Sequence, residues 1–332
     1  MARTVRFHEL GGPEVLRIED LETGEPGPGE VRIRVEAIGL NRAEGLFRSG
    51  RYIEPVKQLP ARIGYEAAGI IEAVGPEVAG FAEGQAVSVV PSFSQNDYGV
   101  YAESAIVPAA ALMPRPDGTD PVAGAAVWMP YLTAYGAMAE VGRVRAGDVV
   151  VINAASSSVG LAAIQTANRL GATPVAVTRG RAKRQRLLDE GAADVIVSDE
   201  EDVAGRVLAL TGGKGAEYVF DAVAGPGVVE LARAVAADGT LFLWGEQSGQ
   251  PTPYPGFDLG MPALNMRTYS MLEITRGPQR MRRATAFITS GLRTGFLRPV
   301  VDRLFPLEEI VQAHAYMESN VQFGKIVVTV GT

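Results

Sequence analysis

The feature that most constrains this 332-residue chain is a regular alternation of short apolar runs and helical stretches that begins at Asp148. The runs have the length and continuous hydrophobicity of strands buried on both faces of a parallel sheet. They are residues 148–153, 174–178, 194–197, 217–223 and 240–244, with residues 267–272 as a candidate last strand. Residues 159–170, 182–190, 202–210 and 227–236 lie between them and are of helical length. The alternation predicts an α/β fold with a doubly wound parallel sheet.

The chain before residue 122 has a different pattern. Short extended candidates, separated by turns rich in Gly and Pro, occur at residues 4–8, 15–21, 31–39, 63–74 and 86–90, with one helical candidate at 42–49. This pattern is typical of a compact, mostly antiparallel β unit. The tail offers helices at 279–291 and 307–319 and a strand at 325–330. We expect residues 1–122 and 275–332 to form one β-rich domain, with the parallel-sheet domain, residues 123–274, inserted between them.

Composition excludes several functional classes. The net charge of −7 argues against a nucleic-acid partner, since neutralising phosphates requires a surplus of Lys and Arg. The absence of cysteine excludes disulfides, thiolate zinc sites and iron–sulfur clusters. No run approaches the roughly 18 apolar residues of a membrane span, and the N-terminus lacks the apolar run of a signal peptide. We therefore expect a cytoplasmic protein that acts on a small molecule, with neither a nucleic-acid nor a membrane partner.

The first apolar run of the parallel region leads into a turn of small residues. Residues 154–160 have the sequence AASSSVG and precede a predicted helix. Such a turn lets a phosphate approach the backbone, where unpaired N–H groups and the helix dipole face the anion. The glycine pattern G-x-G-x-x-G is incomplete, because only Gly160 is present and Ser156, Ser157 and Ser158 occupy the turn. Taken alone, the turn is equally compatible with a serine-capped helix that binds nothing.

The end of the next apolar run favours a cofactor. In a dinucleotide-binding sheet, the residue at this point meets the adenosine ribose and is acidic when a 2′-hydroxyl is bound. Here Thr178 is followed by Arg179, Arg181 and Lys183, and no Asp or Glu is present. Cations at the start of a helix oppose its dipole, which weakens the alternative that they form only a solvated surface. The cluster predicts a 2′-phosphate and therefore NADPH.

Motifs along nearly the whole chain resemble those of the medium-chain dehydrogenase/reductase superfamily, and within it the zinc-independent quinone oxidoreductase branch. They are residues 11–16 (GGPEVL), 39–44 (GLNRAE), 132–136 (LTAYG), 154–160 (AASSSVG), 220–225 (FDAVAG) and 324–327 (GKIV). The resemblance implies a Rossmann domain inserted in a GroES-like β-rich catalytic domain. It also implies a homodimer that pairs edge strands of the Rossmann sheets, with residues 240–244 and 267–272 near that edge.

The same resemblance allows the zinc positions to be compared. Zinc-dependent alcohol dehydrogenases of this superfamily carry Gly-His-Glu where residues 64–66 read Gly-Tyr-Glu, and their cysteine ligand is replaced by Asn41. Glu66 remains, but one carboxylate cannot hold a four-coordinate zinc ion. We therefore expect no metal. His8 and His314 are interpreted as ordinary polar residues.

The resemblance also implies the cofactor contacts. They are Asn41 and Thr133 near the nicotinamide; Ser156, Ser157, Ser158 and Val159 at the pyrophosphate; Thr178, Arg179 and Lys183 at the 2′-phosphate; and Ala222, Val223, Ala224, Gly245, Glu246 and Gln247 on the ribose and nicotinamide side.

Reduction of a conjugated carbonyl without a metal needs an oriented hydride, a donor for the developing oxyanion and a proton. Asn41 and Tyr52 are the polar candidates for catalysis. Tyr52 resembles the proton-donating tyrosine of enoyl-thioester reductases, although an amphipathic residue that only packs there is equally compatible. The leading prediction is an NADPH-dependent reductase of a quinone or α,β-unsaturated carbonyl. The alternatives are a 2-enoyl-thioester (CoA or carrier-protein) reductase with Tyr52 as proton donor, and a dinucleotide-binding structural or regulatory protein with little turnover.

Overall fold

The structure is a computed structural model that describes residues 1–116 and 118–331, without the side chain of residue 258. Its strands are β1 (Ala2–Phe7), β2 (Leu16–Leu21), β3 (Glu30–Gly39), β4 (Ala61–Arg62), β5 (Glu66–Val74), β6 (Ala86–Val89), β7 (Ser104–Pro108), β8 (Leu112–Pro114), β9 (Val149–Ile152), β10 (Thr173–Thr178), β11 (Asp194–Val197), β12 (Ala216–Asp221), β13 (Val235–Leu243), β14 (Asn265–Thr268), β15 (Val301–Pro306) and β16 (Lys325–Thr329). Its α-helices are α1 (Arg42–Arg48), α2 (Pro121–Gly124), α3 (Trp128–Tyr135), α4 (Ser158–Arg169), α5 (Arg184–Asp189), α6 (Val203–Leu210), α7 (Val228–Arg233), α8 (Leu272–Thr275), α9 (Pro278–Arg293) and α10 (Ile310–Glu318). None of the helices in these described ranges combines the length and the apolar character that crossing a bilayer requires.

The chain forms two compact units, which we name the outer unit (Met1–Met129 with Pro299–Thr332) and the inserted unit (Pro130–Arg298). The sequence predicted the same order of segments but placed the boundaries at 122/123 and 274/275. Both predicted boundaries differ from those of the structure, because each depends on whether the adjacent segment packs in the core of the outer unit or of the inserted unit. Ala125 and Ala126 pack with Ala37 and Val327 in the outer unit.

The second boundary moves because α9 packs in the inserted unit. The guanidinium of Arg169 donates to the carbonyl of Phe287 at 2.7 Å, and its Cζ lies 4.2 Å from the centroid of the Phe287 ring. The rings of Phe287 and Tyr135 are also in contact, with centroids 4.9 Å apart. Helix α10 instead contributes Ile310, Ala313 and Met317 to the core of the outer unit. Helical periodicity reveals an apolar face but does not identify the core that receives it.

The outer unit is built on mainly antiparallel sheets, in which only β15 and β16 of the described strands pair in parallel. One contains β15-β16-β3-β5-β6-β8 in that order, with β7 also paired to β3, and a smaller sheet has the order β2-β1-β4. Strands β4, β7, β8 and β15 were not predicted, because they are short or lack a continuous apolar run. In this sheet β16, near the end of the chain, pairs with β3, so Val327 lies opposite Gly39. That pairing brings Lys325 next to the start of α1.

The inserted unit confirms the predicted doubly wound sheet. Its strands are all parallel and follow the order β11-β10-β9-β12-β13-β14. Numbered within the unit, this is the 3-2-1-4-5-6 order of dinucleotide-binding folds. The order reverses between β9 and β12, so their carboxyl ends form the switch point at which ligands bind in such sheets. Strand β14 is the edge strand and ends at Thr268, before most of the predicted 267–272 run.

Candidate functional site

The small-residue turn lies at the carboxyl end of β9, as the sequence predicted. Ser157 caps α4, its hydroxyl accepting a hydrogen bond from the backbone N–H of Gly160 at 3.0 Å. A Cβ atom at Gly160 would lie 2.5 Å from the carbonyl oxygen of Ala155, so a larger residue would push α4 away from the turn. Ala154 adopts φ 52°, a conformation uncommon outside glycine. The turn is therefore held tight against the helix start, which is the geometry a phosphate cradle requires.

Asp221 organises the switch point and was missed as a site residue. It is buried at the end of β12 and accepts a hydrogen bond from the Asn153 side-chain amide at 2.7 Å, which joins the ends of β9 and β12. Its carboxylate also accepts from the backbone N–H groups of Val223 (3.0 Å) and Ala224 (2.8 Å). The sequence signal was available, because a carboxylate directly after a buried strand needs partners.

The two loops predicted for the ribose and nicotinamide side lie together. The N–H of Gln247 donates to the carbonyl of Ala222 at 3.2 Å, and a Cβ at Gly245 would lie 2.6 Å from that same oxygen. Ala224 has φ 56° and ψ −157°, a strained conformation for a non-glycine residue. Glu246 and Gln247 are exposed. The loops after β12 and β13 are therefore fixed to each other beside the turn at β9, along the carboxyl edge of the sheet.

The cations after β10 have three different environments. Arg179 is exposed, and within the described part of the chain its guanidinium makes no hydrogen bond or ion pair. The Nε of Arg181 donates to both carboxylate oxygens of Glu200, at 3.0 and 3.1 Å. The Nζ of Lys183 donates to the hydroxyl of Ser156 at 3.1 Å, which links this cluster to the turn. Thr178 is buried at the end of β10, which lies beside β9 in the sheet. The serine-rich turn after β9 and the cations after β10 therefore adjoin each other near the start of α4. This donor set fits a dinucleotide with a 2′-phosphate.

Two further predicted contacts are buried. Val159 lies in the first turn of α4, and Thr133 lies on α3 in the inserted unit. The hydroxyl of Tyr269 donates to the carbonyl of Leu132 at 3.2 Å, which fixes α3 within that unit. Thr133 is thus carried on an anchored helix.

The outer unit contains a buried polar network, which we name the Lys325 network: Lys325, Asn41, Glu44 and Glu66. The Nζ of Lys325 donates to Glu66 Oε2 and to Asn41 Oδ1, each at 2.6 Å. The other oxygen of Glu66 accepts from the N–H of Met129 at 2.9 Å. Lys325 is 1% exposed and both carboxylates are fully buried. Of these residues, Asn41 was predicted to be functional from the sequence and Glu66 was compared with the zinc ligands, whereas Lys325 and Glu44 were missed.

The side chain of Asn41 is fully engaged in this network. Its amide nitrogen donates to the carbonyl of Gly39 at 3.0 Å and to Glu44 Oε1 at 3.3 Å, while its oxygen accepts from Lys325. Both N–H groups of the amide are used, so Asn41 could donate to a substrate only by breaking one of these bonds. Asn41 therefore holds the Lys325 network together, and Tyr52 remains the predicted proton donor.

Glu44 connects the network to Tyr65. Its carboxylate accepts from the N–H of Asn41 at 2.8 Å and from the N–H of Tyr65 at 3.2 Å. Burial raises the pKa of Glu44 to about 7, although the neighbouring Lys325 charge and these hydrogen bonds act in the opposite direction. Glu44 therefore changes charge near neutral pH.

Tyr52 and Tyr65 pack against each other, and the backbone of Tyr65 is bonded to the network through Glu44. Their ring centroids are 6.2 Å apart. Phe47 packs edge-on against Tyr52, and Phe93 packs against Tyr65 with ring centroids 5.7 Å apart. Burial raises the pKa of both tyrosines, and the interaction between them lowers the pKa of Tyr52 while raising that of Tyr65. Tyr52 is partly exposed and protonated at neutral pH, so it can deliver a proton.

The described residues contain no group of three or more His, Asp or Glu side chains placed to hold a metal ion. Asn41 and Glu66, two positions compared above with zinc enzymes, are joined instead by the ammonium of Lys325. The interpretation of His314 as an ordinary polar residue was wrong. It is fully buried, its ring nitrogens have no hydrogen-bond partner in the described ranges, and burial, followed by Arg48 and Arg42, lowers its pKa to about 3. His8 is exposed and pairs with Glu19.

Comparison with known proteins agrees with this architecture. Residues 27–117 match the family model described as alcohol dehydrogenase GroES-like domain, and residues 158–290 match the one described as zinc-binding dehydrogenase. The chain is 32% identical to the quinone oxidoreductase of Pseudomonas aeruginosa over 98% of this chain and 99% of that protein. It is 30% identical to a 2-haloacrylate reductase of Burkholderia sp over 98% of each chain.

Among solved structures, the Escherichia coli quinone oxidoreductase complexed with NADPH superposes with a TM-score of 0.92. It is 27% identical, and the match covers 98% of this chain and 99% of that one. The match to the GroES-like model confirms the predicted fold class. The chain belongs to the quinone oxidoreductase branch of the medium-chain dehydrogenase/reductase superfamily.

Proposed function

We propose that this protein transfers hydride from NADPH to a quinone or an α,β-unsaturated carbonyl, without zinc. The observation that carries the proposal is the carboxyl edge of the inserted unit. There a tight phosphate turn adjoins Lys183 and the exposed Arg179, and no carboxylate follows Thr178 to bind a 2′-hydroxyl. The relatives are named as quinone oxidoreductases and as a reductase of an activated alkene, and one solved relative is complexed with NADPH.

The residues of the inserted unit bind and orient the cofactor. The N–H groups at the start of α4 and the hydroxyls of Ser156 and Ser158 face the pyrophosphate, while Ser157 caps the helix. Arg179 and Lys183 pair with the 2′-phosphate, and Thr178 ends the strand that carries them. The loops at 222–224 and 245–247 border the ribose and nicotinamide. When bound, NADPH supplies the hydride.

The outer unit supplies the proton. Tyr52 donates its phenolic proton to the oxygen or carbon of the reduced substrate, and its interaction with Tyr65 favours the resulting phenolate. Hydride and proton together convert a quinone to a hydroquinone or an enone to a saturated ketone, so the reaction balances without a metal. The positions of Asn41, Tyr65 and Lys325 support zinc independence, because an amide, a phenol and an ammonium do not form a zinc ligand set.

Two further proposals concern the cellular location and the oligomeric state of the protein. We infer a cytoplasmic homodimer in which β14 pairs with β14 of a second copy, since β14 is the edge strand of the parallel sheet and three of its residues are exposed. Sedimentation should give a dimer at micromolar concentration. A monomer would contradict this assembly.

The experiment that tests the proposed function is a parallel measurement of NADPH oxidation with a quinone, an enone and an enoyl-CoA. Turnover with the first two and not the third supports the proposal. Turnover only with enoyl-CoA would indicate the thioester reductase, and tight NADPH binding with no turnover would indicate a structural or regulatory protein.

A further inference from the structure

The charge of Lys325 needs an explanation beyond stability. Lys325 is 1% exposed, and its two acceptors, Glu66 and Asn41, are 0% and 8% exposed. An ion pair desolvated to this degree contributes little net stability compared with apolar residues of the same size. The Nζ atom is nonetheless held at 2.6 Å from each acceptor, in a geometry that satisfies both. Such a pair can serve to fix the positions of the segments it joins.

The segments joined by Lys325 are the ones that carry the tyrosine pair. Glu66 is the first residue of β5 and directly follows Tyr65 in the chain. Asn41 is the N-cap of α1, the helix that precedes Tyr52, and its side chain donates to Glu44 on that helix. Glu44 in turn accepts the N–H of Tyr65 at 3.2 Å. Two routes therefore lead from Lys325 to the backbone at Tyr65, one through Glu66 and one through Asn41 and Glu44.

We propose that Lys325 is a positioning residue for the reaction: by holding Glu66 and Asn41 it fixes the backbone at Tyr65, and through the contact between the two tyrosine rings it orients Tyr52. The ammonium joins the two segments, with an amide and a carboxylate as its acceptors. Its charge also lowers the pKa of Glu44, against the effect of burial. The proposal rests on the proposed function, because it takes Tyr52 as the proton donor.

The variants are chosen so that loss of folding does not imitate loss of positioning. Lys325→Met alone leaves the buried Glu66 carboxylate without its cation, which is strongly destabilising. The pair K325M/E66Q removes both charges and keeps the net charge of the network. The matched control R115M/E36Q removes an ion pair of the same unit, between Arg115 and Glu36 at 2.8 Å, that shares no hydrogen bond with the network among the described residues. Lys325→Arg is the conservative variant that keeps the positive charge.

Each variant is measured for NADPH affinity by fluorescence titration and for kcat with a quinone, with and without Tyr52→Phe. A displacement of about 1 Å at a catalytic group costs on the order of 10²-fold in rate, so K325M/E66Q should lose about 10- to 100-fold in kcat. NADPH affinity should change by less than about twofold, because the residues proposed to hold the pyrophosphate and the 2′-phosphate lie in the inserted unit. Lys325→Arg should recover part of the loss, and R115M/E36Q should stay within about twofold of the wild type.

The interaction with Tyr52 separates positioning from general stability. If Lys325 acts through Tyr52, then K325M/E66Q should lower kcat much less in the Tyr52→Phe background than in the wild type. Losses that multiply independently, an unchanged kcat in K325M/E66Q, an equal loss in the control pair, or a Tyr52→Phe variant as active as the wild type would each overturn the proposal. A wild-type protein that binds NADPH but reduces neither quinones nor enones would instead overturn the proposed function itself.

Discussion

Replacing Arg179 by alanine should weaken NADPH binding and leave NADH binding nearly unchanged. Arg179 is exposed at the end of β10, and within the described ranges no carboxylate pairs with it, so its guanidinium is available to a 2′-phosphate. A hydrogen bond between charged groups contributes about 1.5–3 kcal/mol, which corresponds to roughly 10- to 100-fold in affinity. Because the site is exposed to solvent, we expect a value near the lower end, about 10-fold at physiological ionic strength.

The matched control is Arg181→Ala. Arg181 belongs to the same basic cluster, but its Nε donates to both oxygens of Glu200 at 3.0 and 3.1 Å. Its removal should therefore change NADPH affinity much less than the removal of Arg179. The assay is a pair of fluorescence titrations, with NADPH and with NADH, on the wild type and both variants. Equal weakening of both cofactors by Arg179→Ala, or equal effects of the two substitutions, would refute the assignment of the 2′-phosphate to Arg179.

Three further predictions concern the buried Glu44, the buried His314 and the independence of the reaction from a metal ion. Burial raises the pKa of Glu44 to about 7, so its contribution to stability is complete below pH 4.5 and is lost as pH rises through 7. Over this range the free energy of unfolding should fall by about 3 kcal/mol. Glu44→Gln should abolish this fall in urea denaturation measured from pH 4.5 to 8. A wild-type slope that persists in the variant would contradict the assignment. The pKa of His314 is lowered to about 3, so its contribution is present above pH 6.5 and is lost as pH falls towards 3. His314→Leu should stabilise the protein at pH 7.5 by about 1–2 kcal/mol, because it removes unpaired buried nitrogens, and by more at pH 5; a destabilised variant at both pH values would show that the imidazole has partners. Finally, dialysis against a chelator should leave quinone reduction intact and elemental analysis should find no stoichiometric zinc, whereas activity lost to the chelator and restored by zinc would refute metal independence.

The parts of the fold that the sequence predicted correctly depend on local patterns. The apolar runs at β9, β10, β11 and β12 are continuous and separated by helical stretches, which is a strong signal for a parallel sheet. The small-residue turn was predictable for the same reason, since the strand, Ser156–Ser158 and Gly160 follow one another closely in the chain. The boundaries of the inserted unit were not predictable, because α9 joins it through contacts between Arg169 and Phe287, residues far apart in the chain.

The Lys325 network shows the limit of sequence reasoning most clearly. Its hydrogen bonds connect residues separated by 284 and 259 positions. The sequence predicts no role for Lys325 and places Asn41 at the nicotinamide, because neither the pairing of β16 with β3 nor the engagement of the Asn41 amide is visible in it. A buried Lys pairs with whichever carboxylate the topology brings near it, and here that carboxylate is Glu66.

The measurement that tests the central claim most directly is the initial rate of oxidation of NADPH and of NADH by the chelator-dialysed protein, with a quinone as acceptor. We expect quinone-dependent oxidation that is faster with NADPH than with NADH at equal subsaturating concentrations, since Arg179 and Lys183 are placed to bind the 2′-phosphate that NADH lacks. An equal or higher rate with NADH, or no acceptor-dependent oxidation of NADPH, would contradict it.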